Sequence, residues 1–308
     1  MIHPEQVAEM VYAGIKPAAT STATFTSGPG PIPTVIPTPT QYEVSGETGH
    51  RTLWTVFALM VLSSGVFSIL SWNIPVSKRL LHVVTTLITI TASLSYFAMA
   101  SGHATSFSCT TARDHHKHVP DQYYTECRQV FWARYVDWAI TTPLLLLDLC
   151  LLAGVDGAHT LMAIVADIIM ALSGLFAAYG TTATQRWGWY AIGCISYLFV
   201  IWHVALHGAR AVQAKGQGVS RLFGSLALFT FLLWTAYPIV WGIADGAHKT
   251  TVDTEIIIYA VLDLLAKPFF GLWLLFSHRA IADTAVDVGG WWSNGLASEG
   301  RIRIGEED

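Results

Sequence analysis

Residues 128–152 read RQVFWARYVDWAITTPLLLLDLCLL, a largely apolar run with Arg134, Asp137 and Asp148 inside it. About 20 mostly apolar residues cover the ~30 Å hydrocarbon core of a membrane as a helix, so the stretch has the length of a span. Its charges do not suit a passive one, because an ionisable group inside a bilayer is costly and tends to mark function. Arg134 and Asp137 are three positions apart and share a helix face. Asp148 follows Asp137 by 11 residues. That is a rotation of about 1100°, within about 20° of three whole turns, and a rise of about 16 Å. Both carboxyl groups point the same way at different depths.

The rest of the chain has the same character. Of its 308 residues 53% are hydrophobic and only 12% charged, and the mean hydropathy is +0.47. A soluble domain carries about 25% charged residues, so an all-α integral membrane protein is expected. Apolar runs between charged or Gly/Pro-rich breaks define seven spans: 52–72, 80–102, 128–152, 159–178, 187–207, 221–244 and 254–278. The expected fold is a seven-transmembrane-helix bundle. A net charge of −4 and a pI near 6.3 argue against a nucleic-acid partner. The four cysteines contain no CxxC pair, so neither a zinc site nor a disulfide scaffold is indicated.

Residues 1–50, rich in Thr, Pro and Ser, read as a disordered tail, 51–280 as the helical domain and 281–308 as a second solvated tail with an acidic end. The N-terminal stretch lacks the basic start and apolar core of a cleaved signal peptide. An odd number of spans puts the termini on opposite sides. Lys and Arg near the span ends divide six against six between the two sets of loops, so the charge rule does not orient the chain.

The other charges inside spans are Asp167, Asp263 and Lys267. Interhelical ion pairing that only fixes packing would explain any one of them. Asp263 and Lys267, four residues apart, share a face, and Lys267 is the only lysine within a span. A buried lysine either stays paired with carboxylates or forms a Schiff base with a carbonyl compound. The available counterions are Asp137 and Asp263, expected ionised, whereas Asp148 amid leucines is expected protonated. Donor, titratable nitrogen and acceptor would then stand in file. Aromatic residues crowd the same level. Trp54, Trp72 and Trp187 suit an interfacial belt, but Trp138 and Trp234 lie deep enough to hold a flat conjugated ligand. Pro238 makes the sixth span a candidate hinge.

RYVDWAITTPLLLLD at 134–148, WTAYPIVW at 234–241 and LDLLAK at 262–267 closely resemble the microbial (type 1) rhodopsins. The similarity covers roughly residues 50–280. Within the family the chain resembles the fungal opsin branch of the Leptosphaeria rhodopsin kind, whose Thr/Pro-rich start, long loop between the second and third spans and IGEED ending at 304–308 it shares. The resemblance implies a bacteriorhodopsin-like, light-driven outward proton pump with all-trans-retinal in the bundle core, bound to Lys267. Asp137 would accept the proton, Asp263 would be the second counterion, Asp148 the donor, and Arg134 and Glu255 would serve release. Tyr96, Tyr135, Trp138, Thr141, Thr142, Met170, Trp189, Tyr197, Trp234, Tyr237 and Trp241 match retinal-binding positions, and Thr85 matches the partner of the donor. A second release carboxylate falls at Gly246 in the family register, with Asp245 beside it. The family places the N-terminus outside and the C-terminus in the cytosol of a multi-pass protein of the plasma membrane. Lipids surround it, and dimers or trimers are both compatible with the fold.

The alternative reading is a slow-cycling photosensory rhodopsin that shares the pocket and signals through a partner. A receptor coupled to G proteins would need an AspArgTyr box and an AsnProxxTyr motif, and neither occurs. Lys267 argues against a chaperone without chromophore, and Asp148 against a light-gated channel. Loop residues His115, His116 and His118 are not read as a metal site. Cys109 and Cys127 share a loop, and the sequence does not establish whether they pair. Cys150 and Cys194 read as packing residues, and His203 and His207 as capping or interface residues.

Overall fold

The computed structural model describes residues 40–72, 74, 79–114 and 122–280. Seven helices in it are long and apolar enough to cross a membrane: α1 (Glu47–Trp72), α2 (Leu80–Ala100), α3 (Trp132–Ala153), α4 (Gly157–Ala178), α5 (Ala183–Lys215), α6 (Gln217–Gly246) and α7 (Val252–Arg279). The protein is an integral, multi-pass membrane protein. With no water to bond the backbone in hydrocarbon, an isolated span has to be helical, which is why apolar length alone located these elements. Their ends follow local chemistry. Asp156 caps α4 by accepting from His159 N at 3.0 Å. Thr182 and Thr251 cap α5 and α7 in the same way. Gly154, at φ +80°, closes α3.

Consecutive helices pack side by side, α7 returns to α1, and α3 also packs on α6. Of the seven, α3 is the most deeply buried. Large apolar side chains such as Leu62, Ile69, Leu94, Leu198 and Leu232 point outward. On a water-soluble protein they would be a liability; on a bundle in lipid they are the solvated face.

Three elements depart from the sequence reading. First, residues 41–50 are not tail: β1 (Gln41–Glu43) pairs in parallel with β3 (Gln122–Val130), and α1 already begins at Glu47. Residues 1–39 and 281–308, and the histidines at 115, 116 and 118, lie outside the described residues. Second, the third span begins at Trp132 rather than 128, because 122–130 is strand. Third, the long loop before it is a hairpin, β2 (Ser106–Asp114) running antiparallel to β3 with Cys109 opposite Cys127, and the two are disulfide-bonded.

Three short π turns interrupt the helices, at Trp202–His207, Gly242–Gly246 and Leu265–Phe269. The last contains Lys267 and Pro268. Proline has no N–H to give, so the ladder cannot run through it unchanged, and such turns recur at functional sites. Near it, a Cβ on Gly271 would come within 2.4 Å of Thr85 and 2.8 Å of Phe67. Glycine there lets α7 close on α2.

Candidate functional site

Lys267 Nζ is buried between two carboxylates, donating to Asp137 Oδ2 at 2.6 Å and to Asp263 Oδ1 at 2.9 Å. One turn of α7 and the mid-section of α3 therefore meet at a single amine. The two acids are held differently. Asp263 also accepts from Tyr96 Oη at 2.7 Å and Tyr237 Oη at 2.9 Å. Asp137 has no such support: its Oδ1 is buried without a hydrogen-bond partner among the described residues. Thr141 lies beside it but donates to the Asp137 backbone carbonyl at 2.8 Å.

An apolar cavity opens at this amine. Of the expected binding residues, Trp138, Thr142, Met170, Tyr197, Trp234, Tyr237 and Trp241 line it together with Asp263 and Lys267. Four others do not reach the wall. Tyr96 stands behind it on Asp263, and Thr141 on the α3 backbone. Tyr135 is turned away, donating to Asp245 and accepting from Trp241 Nε1 at 2.8 Å. Trp189 is on the outer face of α5 against Phe176. Its neighbour Tyr190 lines the cavity instead, stacked on Trp241 with centroids 5.1 Å apart. Successive helical residues lie about 100° apart, and here that step turns Trp189 to the outer face and Tyr190 to the cavity. Cys194, read as packing, also lines the wall, as does Gly193.

Two more carboxyl groups are fully buried. Asp148 Oδ2 is 3.3 Å from Thr85 Oγ1, whose hydroxyl already donates to Leu81 O at 2.7 Å. Asp167 Oδ2 is 2.6 Å from Thr142 Oγ1, itself 2.6 Å from Trp138 O. In each pair the threonine hydroxyl is shared between a backbone carbonyl and the acid. In the sequence Asp148 is flanked by Leu144 to Leu147 and by Leu149.

Beyond Asp137, toward the sheet, lies a charged cluster. Arg134 pairs with Glu255, and its guanidinium sits 4.3 Å over the Tyr259 ring. The second arginine is Arg128, on strand β3 rather than on a span. Strand β3 inserts it, fully buried, where it reaches Glu255 Oε2 at 2.8 Å, Glu43 Oε2 at 2.5 Å, Thr250 O at 3.0 Å and Asp245 Oδ1 at 3.5 Å. Burial alone would lower its pKa, but Glu255, Asp245 and Glu43 outweigh that and hold it above the ordinary arginine value. Asp245, not Gly246, supplies the second acid. It accepts from Tyr135 Oη at 2.9 Å, whereas a Cβ on Gly246 would lie 2.9 Å from Trp187. The π turn over Gly242–Gly246 shifts the helix face, which an alignment by linear register does not anticipate.

Residues 48–281 match the bacteriorhodopsin-like protein family. Opsin-1 of Neurospora crassa is 71% identical over 310 residues, covering 100% of both chains. The opsin-like protein carO of Fusarium fujikuroi is 37% identical over 76% of this chain and 74% of its own length. Among solved structures, a light-driven proton pump from Leptosphaeria maculans is 58% identical, covers 78% of this chain and 98% of its own, and superposes with a TM-score of 0.76.

Proposed function

The chain belongs to the bacteriorhodopsin-like family, which implies a retinal chromophore, and on that premise we propose that it is a light-driven outward proton pump. The cavity residues fit all-trans-retinal. Tryptophans 138, 234 and 241 offer flat apolar surface, Met170 and Tyr197 add to it, and a lysine nitrogen with two carboxylates stands at the wall. Retinal joined to Lys267 would supply light absorption and a change in geometry and acidity at the lysine nitrogen.

The chain's own groups divide the remaining work. Asp263, holding three donors, serves as the fixed counterion. Asp137, with one oxygen unengaged, is the natural acceptor. Asp148, fully buried in a run of leucines, keeps its proton because burial disfavours the charged form, and it delivers that proton from the opposite side of Lys267. Glu255 and Asp245, held by Arg134 and Arg128, are the carboxylates beyond Asp137 that take the released proton, which makes the sheet side the exit. The exit lies outside the cell if the N-terminus does, as the family orientation has it, and the plasma membrane is the proposed location. Moving one proton against 100 mV costs about 2.3 kcal/mol, so the path must be one-way.

The observation that carries this reading is Asp148, a buried acid on the face of α3 that also bears Asp137. A sensor has no need of a fast donor. The name of the Leptosphaeria structure points the same way. Asp148→Asn should leave the pigment coloured and slow reprotonation of the lysine nitrogen by about 100-fold or more, the contribution of a positioned acid. Flash photolysis reads this directly. An unchanged cycle would remove Asp148 from the path and favour a photosensory role acting through a partner.

A further inference from the structure

Three histidines from two helices converge at the end of the bundle where α4 starts. His159 lies in the first turn of α4, and His203 and His207 on the π turn of α5. One ring nitrogen from each lies within 4.8 Å of the other two. His159 Nδ1 and His203 Nδ1 are 3.2 Å apart. Two nitrogens bound at 2.0–2.1 Å to one tetrahedral ion stand about 3.3 Å from each other. Four residues apart, His203 and His207 share a helix face. Here the His203 and His207 rings are nearly parallel, at 20°, with centroids 5.4 Å apart.

The rings are also supported from behind. His159 Nε2 faces Asp156 Oδ2 at 3.8 Å, and Asp156 is itself fixed as the α4 cap. His207 Nδ1 lies 3.2 Å from the His203 carbonyl. A carboxylate or carbonyl behind an imidazole is the arrangement that orients a metal-bound histidine. Aqueous ions can reach the place. At 33 residues, α5 is about 50 Å long, well beyond the ~30 Å hydrocarbon core. His203 and His207 lie in its second half and His159 in the first turn of α4, and each ring is partly exposed.

We propose that His159, His203 and His207 form a binding site for a divalent transition-metal ion of the zinc and copper class, clamping α4 to α5. Three imidazoles favour such ions over magnesium or calcium, which prefer oxygen. Among the described residues, the other juxtaposition of this kind, Glu43, Glu126 and His248, is less suited. Glu43 is already bonded to Arg128 there. Sequence spacing shows only His203 and His207, because His159 is 44 positions away.

The test is calorimetric titration of the full-length, retinal-loaded, EDTA-stripped protein with Zn2+, with Mg2+ as the control ion. One Zn2+ per chain should bind and raise the thermal midpoint, and Mg2+ should not. His203→Gln and His207→Gln should each weaken Zn2+ binding by about 100-fold, and Asp156→Asn by about 10-fold. His248→Gln should leave it unchanged. The visible band confirms that each variant is folded. Zinc-edge absorption on the unmutated protein provides a readout independent of any variant, and should show imidazole nitrogens at about 2.0 Å. Failure to bind Zn2+, binding unaffected by both histidine substitutions, loss of binding in His248→Gln, or an oxygen-dominated shell would each overturn the proposal.

Discussion

Two neighbouring aromatics on α5 show how finely position decides role. Trp189 packs on Phe176 at the outer face, while Tyr190 stacks on Trp241 inside the cavity and donates to Pro238 O at 3.1 Å. Tyr190→Phe should therefore shift the visible absorption maximum, and Trp189→Phe should leave it unmoved. A shift from Trp189 alone would return that residue to the pocket. Sequence could not separate the pair, because four consecutive positions, Trp187-Gly188-Trp189-Tyr190, offer three rings and no register marker. Charged residues were more legible. Arg134, Asp137, Asp148, Asp263 and Lys267 announced themselves by their cost in a membrane. Arg128 did not, since it lies in a polar stretch and its burial depends on a strand pairing 85 residues away, with Glu43. His248 is a third case. Burial, then Arg186 and Arg128, push its pKa below the ordinary 6.5, and Glu126 only partly opposes this. The unfolded chain thus takes up this proton first as pH falls below 6.5, so the group costs stability there. At φ +50° asparagine is tolerated. His248→Asn should flatten the fall in thermal midpoint between about pH 7 and pH 5. An identical profile in the variant would show that His248 does not contribute.

At the scale of elements, the helices were readable and their ends and partners were not. A run of apolar residues has only one way to satisfy its backbone in lipid, so each span was visible in isolation. Strands β2 and β3 satisfy theirs in one another, across a gap in sequence, and their residues mix polar and apolar types without a strong alternation. They read as loop for that reason. The sheet matters because β3 carries Arg128 into the exit cluster, and the Cys109–Cys127 bond fixes β3 to β2. Closing a loop of 18 residues constrains the unfolded chain by about 3 kcal/mol. Replacing both cysteines by alanine should lower the temperature at which the pigment bleaches while leaving its colour. Unchanged thermal bleaching would mean that the hairpin holds without its bond. The π turns are likewise invisible to apolar spacing, yet one presents Lys267 and another decides that Asp245 rather than Gly246 faces inward.

For the molecule as a whole, a bundle of seven helices, α3 the most deeply buried of them, brings acids from α3, α6 and α7 into one file. Asp148 stands on one side of Lys267, and Glu255 with Asp245 on the other. Helical rise alone sets the spacing along α3, which is why the order of the file could be read before the fold was known. Family membership adds the chromophore, and the fit of the cavity to a flat conjugated molecule supports it. Direction of transport is the central claim, and it rests on which side of Lys267 holds the donor. Light-induced pH change in vesicles of known orientation, carrying the protein with all-trans-retinal, tests it most directly. Outward pumping predicts protonophore-sensitive acidification on the N-terminal side under steady illumination. A coloured pigment that moves no protons, or moves them toward the C-terminal side, would contradict it.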